Sequence, residues 1–190
     1  MFDLSLYSLV LLAHVTTATV LIGHALLAPL IRRATLSADS LASLRTWLDF
    51  GERAAKANPV AAMILLASGV YLGSVGWWTQ PWFYVAAAAW LANSLLATLV
   101  IRKTAMRIGR AAGLRDGAID PDVDRLRQSP GWHAAETILA SNDLAMIYVM
   151  FLKPGLLECC IVIIGCAAVG FAWSHRPVRG RVEQREAVMG

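Results

Sequence analysis

Apolar residues fill four long runs of this chain, at 4–31, 59–77, 82–101 and 131–174, and polar, basic stretches at 32–57 and 102–130 separate them. A helix needs about 18 mostly apolar residues to cross a bilayer, and each run reaches that length. The first run ends on Arg32-Arg33 and has neither a basic leader nor a small-residue cleavage site, so it reads as a retained span. The second opens near Pro59, a residue favoured in a first helical turn. Trp77, Trp78, Trp82, Phe83 and Tyr84 crowd the uncharged turn into the third, as aromatic side chains do at a membrane–water boundary.

The fourth run is broken by Lys153-Pro154-Gly155. If it crossed once, Arg176, Arg179, Arg181 and Arg185 would lie opposite the two basic stretches, against the orientation bias. If 132–152 crosses and 155–174 returns, each piece has spanning length and Pro-Gly closes a helical hairpin. Every Lys and Arg except Lys153 then falls on one side. The pattern therefore predicts an all-α, polytopic transmembrane bundle with five spans, 4–31, 59–77, 82–101, 132–152 and 155–174. The N-terminus lies outside, and 176–190 forms a disordered cytoplasmic tail. The alternative is one long helix kinked at Pro154, with four spans in total.

Between spans, Leu41, Leu44, Trp47, Leu48 and Phe50 recur at helical spacing, which predicts an amphipathic segment lying along the membrane surface. Residues 102–130 carry Gly113, Gly117, Pro121 and Pro130 and read as a loop with at most one short basic helix at its start. Composition adds little to this pattern. The net charge of +4 does not indicate nucleic acid, because Lys and Arg cluster beside helix ends and no readout module is present. The three cysteines, Cys159, Cys160 and Cys166, sit within one apolar helix, so no disulfide framework is implied.

Candidate chemistry rests on polar groups at membrane depth, which are costly there and mark functional sites by default. Counting about 1.5 Å per residue places His14, Asn93 and Asp143 near the midplane, and these three are the candidate ligand-binding centre. The plainer alternative is that each hydrogen-bonds a neighbour and fixes helix order. His24, His133 and Glu136 fall toward the inner side, where interfacial water is their expected partner, and Lys153 is expected to snorkel outward. Haem b needs two axial ligands at one depth, and His14 has no second histidine at its level. Copper could draw on His14 and His24, or on the cysteines with Met150, although Cys159 and Cys160 point about 100° apart. Gly69 and Gly73 form a small-xxx-small pattern that could dock a membrane partner or a second copy. No nucleophile–base pair, phosphate loop or zinc spacing is present.

Three short motifs carry a family resemblance: Leu12-Ala13-His14 with Thr17-Ala18-Thr19 and Ile22-Gly23, then Gln80-Pro81-Trp82, then Met150-Phe151-Leu152-Lys153-Pro154. In this order they resemble an uncharacterised bacterial integral membrane family, a domain of unknown function similar to the copper-resistance protein D group. The match spans residues 1 to 155, and the run after Gly155 is an added span. The resemblance implies an inner-membrane protein, possible haem or copper handling, and a role for the first-helix histidine, here His14. The wider group includes a membrane protoporphyrinogen oxidase. The basic residue expected inside a later span of that enzyme is missing from the third span here, so its activity does not carry over.

Overall fold

A computed structural model describes residues 5–113 and 116–175. The expected tail at 176–190 lies outside the described residues. Five helical stretches are long and apolar enough to cross a membrane, and this is a multi-pass integral membrane protein. Helix α1 spans Leu6–Ser37, with Ser5 capping it by accepting a hydrogen bond from the Ser8 amide. It is followed by α2 (Leu41–Ala55) and α3 (Asn58–Leu72), the latter extended by a π turn at Gly73–Trp77. Next comes α4 (Pro81–Leu96), which passes through a π segment at Ala97–Arg102 into α5 (Lys103–Ala112). Then follow α6 (Pro121–Arg127), α7 (Pro130–Leu152) and α8 (Leu156–Ser174). No strand occurs among the described residues; an isolated bridge joins Ser40 to Ala118.

The hairpin expected at 153–155 is present. Lys153 adopts the left-handed conformation that ends α7, Gly155 starts α8, and α8 returns along α7. The return is close because Gly170 has no side chain. A Cβ there would run into the Ser141 hydroxyl and come within 2.6 Å of the Thr137 carbonyl oxygen. Helix α7 also packs on α1 and α4, and α1 packs on α3.

Three expectations about the polar stretches need correction. First, α1 does not stop at the arginines. Arg32 is buried against α7 rather than exposed, so the helix continues for another turn and a half to Ser37. Second, the apolar stripe of α2 does not lie against lipid throughout. Leu41 and Leu44 pack with Ile108, Ala112, Val123 and Trp132, while Trp47 and Phe50 stay outward-facing. Third, the expected loop at 102–130 contains two helices, α5 and α6. Asp120 caps α6 through the Asp122 amide, and Pro121 occupies its first turn.

Helices α2, α5 and α6 thus form a cap across one end of the bundle. Its core buries Leu44, Ile108 and Val123 almost completely, at about 1.5–3 kcal/mol for each side chain. Arg127 pins the cap to α1. Its guanidinium donates to the carbonyls of Thr35 and Ala38, both at 2.9 Å, while its Nε pairs with Asp124 at 2.6 Å. Within the cap, Arg45 of α2 ties the end of α5, reaching the Gly113 carbonyl at 3.1 Å and the Asp116 carboxylate.

Candidate functional site

The π segment of α4 begins one turn after Asn93, and the Ala97 amide reaches back to the Asn93 carbonyl. Such local widening often accompanies a functional site in a helix. Asn93 itself faces α7 at the point where Asn142 and Asp143 follow one another. The Asn93 carboxamide donates to the Asp143 carboxylate at 2.7 Å, and the Asn142 amide donates to Asn93 Oδ1 at 3.2 Å. With Asp143 ionised the chain has one sense: a carboxylate only accepts, so Asn93 turns its NH₂ toward it and offers its oxygen to Asn142. Asn142 is left with its own oxygen buried and without a hydrogen-bond partner.

Two other helices bring polar atoms to this level. The contact of Arg32 with Glu136 fixes the register of α1 against antiparallel α7, so Asp143 lies level with about residue 25 of α1. His24 is therefore its neighbour in depth, and His24 Nδ1 is buried without a hydrogen-bond partner. The pairing of His14 with Ser68 sets α1 against α3 in the same way and brings Asn58 to the level of His24. Asn58 Oδ1 is likewise buried and unpartnered. One layer of the bundle thus contains His24, Asn58, Asn93, Asn142 and Asp143, contributed by four helices.

Of the expected three-residue centre, Asn93 and Asp143 meet, but His14 stands elsewhere. Counted along α1, it lies roughly 16 Å from the level of Asp143. His14 Nδ1 is 2.9 Å from the Ser68 hydroxyl, which itself donates to the Ile64 carbonyl at 2.6 Å. With the hydroxyl donating to Ile64, the pairing is satisfied by the tautomer that carries its proton on Nδ1 and its lone pair on Nε2. His14 and His24 are also too far apart to share one metal ion, at about 15 Å along a single helix. Among the described residues, no three His, Cys, Asp or Glu side chains stand close enough to hold a metal. Cys159 is buried with its thiol 3.4 Å from the Pro154 carbonyl, and all three cysteines are free.

Glu136 does not sit at a watery mouth. Its side chain is 3% exposed, and its carboxylate stands 3.5 Å from Arg32 Nε, whose guanidinium lies 5.8 Å from the Trp132 ring centroid. Opposite charges at one depth on α1 and α7 were a readable signal for this pair, as they were for the helix register it sets. Gly69 and Gly73 are used within the chain. The face of Gly69 meets the His14 ring, and Trp78 and Phe83 cover Gly73. Lys153 lies over the rings of Trp77 and Trp82.

Comparison of the chain with protein families, with curated proteins and with solved structures gives no match.

Proposed function

We propose that the protein binds and releases a proton or a small hard cation at the layer around Asp143, as part of a small proton-coupled transport module. The observation that carries this reading is that three buried polar atoms without a hydrogen-bond partner, His24 Nδ1, Asn58 Oδ1 and Asn142 Oδ1, fall at about the depth of one carboxylate. Unpaired buried polar atoms are costly, and a water, proton or cation bound at them removes the cost. Oxygen donors from carboxamides and a carboxylate suit hard cations rather than copper. The protein belongs in this reading to the bacterial inner membrane, with the cap cytoplasmic and the N-terminus outside. Its support is that Lys153 is the sole described Lys or Arg at the end away from the cap.

Haem b or copper on His14, which the family resemblance implies, is the second reading. In its favour, Ser68 orients the imidazole so that Nε2 is presented for ligation. The donor set does not complete it, however. Ser68 and Gly69 face His14 from α3, and among the described residues no three His, Cys, Asp or Glu side chains stand close enough to hold a metal. The residues present do not fit either group.

The test is labelling of bilayer-reconstituted protein with dicyclohexylcarbodiimide, which attacks protonated carboxyl groups in apolar surroundings. Peptide mass spectrometry should find the adduct on Asp143, slowed by raised pH or by sodium. Liposomes under an imposed pH gradient should leak protons faster with the native protein than with Asp143→Asn. An unlabelled Asp143 together with equal fluxes would rule the proposal out.

A further inference from the structure

The end of the bundle away from the cap places its one described cation in an unusual position. Lys153 is the only non-glycine among the described residues with a positive φ, at 47°. Left-handed backbone is unfavourable for any residue with a Cβ, which is why glycine usually ends a helix in this way. Gly155 stands two positions later at φ −65°, where any residue would serve. The chain therefore puts lysine where glycine would be cheaper, so the side chain has a use that outweighs the strain.

That side chain is held between aromatic rings. The Lys153 ammonium lies 5.3 Å from the Trp77 ring centroid and 5.6 Å from that of Trp82, and the two indoles meet edge to face at 5.2 Å. Beside it opens a cavity of about 280 Å³ lined by Gly76, Trp77, Gln80, Trp82 and Lys153. No carboxylate pairs with Lys153 among the described residues; Glu158, the acid on the adjoining turn of α8, accepts a hydrogen bond from the Tyr148 hydroxyl. The rings stabilise the positive charge on one side and leave its N–H groups free on the other. Tryptophans sit at headgroup depth in a bilayer, and at about 280 Å³ this cavity is too small to take a whole lipid.

We propose that this cavity binds a phosphate group, presented by an anionic phospholipid of the adjoining leaflet or by a small soluble phosphate ester. Lys153 supplies the charge, Gln80 an exposed carboxamide donor, and the indoles the walls. The site is separate from the layer around Asp143 and does not depend on its function.

Native mass spectrometry of the delipidated full chain tests it, with phosphatidylglycerol, phosphatidylcholine and glycerol phosphate as probes. The native protein should prefer phosphatidylglycerol over phosphatidylcholine by about fivefold, the value of one surface lysine against an anionic lipid. Lys153→Gly and Lys153→Gln should lose the preference, and Lys153→Arg should keep it. The glycine variant relieves the backbone, so it should melt no lower than the native protein when lipid-free; a loss of binding is then not a loss of fold. Glycerol phosphate binding without lipid would assign the site to a soluble ester, and phosphatidylglycerol preference without it to the membrane. The proposal fails if the native protein neither discriminates between the lipids nor binds glycerol phosphate, or if Lys153→Gly discriminates as well as the native chain.

Discussion

The cap and the bundle solve opposite packing problems within one chain. In the cap, large apolar side chains point inward: Leu44, Ile108 and Val123 meet at its centre, and charged residues other than Arg127 face out or stand half-buried. In the bundle the balance shifts toward small residues inside. Ala25, Ala61, Ala86, Ala89, Ala135 and Ala145 line the helix contacts with Thr17, Ser68 and Asn93, beside a few large side chains such as Leu72, Trp82 and Val149, while Leu157, Ile161, Ile164 and Val169 face outward. Water drives large apolar groups together, so the cap has a core of the kind found in soluble domains. Lipid offers no such drive, and helices there gain by close approach and by hydrogen bonds between polar groups.

Substitutions of the same type should therefore have unequal effects in the two regions. Leu44→Ala empties a fully buried position in the cap and should cost about 2–5 kcal/mol in unfolding measured in mild detergent. Ile164→Ala removes a similar volume from a lipid-facing surface and should change stability by no more than about 0.5 kcal/mol. Equal losses would break the comparison, because they would mean that Ile164 is packed against protein rather than facing outward. Next in size is Gly170→Leu. Its side chain would press on the α7 backbone at Thr137 and should cost about 1–3 kcal/mol, with α8 detaching before the cap unfolds. Accessibility of Cys166 to a membrane-permeant thiol reagent follows that detachment. Smaller than the effect of Gly170→Leu is that expected from Asn93→Leu, which removes two interhelical hydrogen bonds worth together about 1 kcal/mol in a membrane. A loss well beyond this would show that the polar layer is chiefly a structural fastener. A small loss accompanied by altered carbodiimide labelling of Asp143 would sharpen its assignment as a working site.

The bundle was the more legible region. Run length alone gives its helices, and the Lys153-Pro154-Gly155 turn is visible because proline and glycine cannot continue a helix cheaply. The cap was harder to see, since its helices are short and charge-rich. The Asp120-Pro121 start of α6 was nonetheless present in the sequence as a capping signal, and Ile101, Ile108 and Ala112 recur at helical spacing. Within the site, the sequence identifies polar residues at depth but misjudges which of them are neighbours. Estimating depth from the ends of each run put His14 beside Asp143. The helices are offset, however: α1 projects beyond the bundle into the cap, and Arg32 meets Glu136 two turns inside α7.

The sequence by itself determined that the chain is helical, that it crosses a membrane repeatedly, and that it turns back at Pro154, because these follow from local composition and backbone chemistry. Only the tertiary structure decided that His24 rather than His14 shares the level of Asp143, that Gly69 and Gly73 are covered from within, and that Lys153 stands over two indoles. Those relations depend on how far each helix slides along its neighbour. That offset is set by contacts such as Arg32 with Glu136 and His14 with Ser68, between residues far apart in the chain.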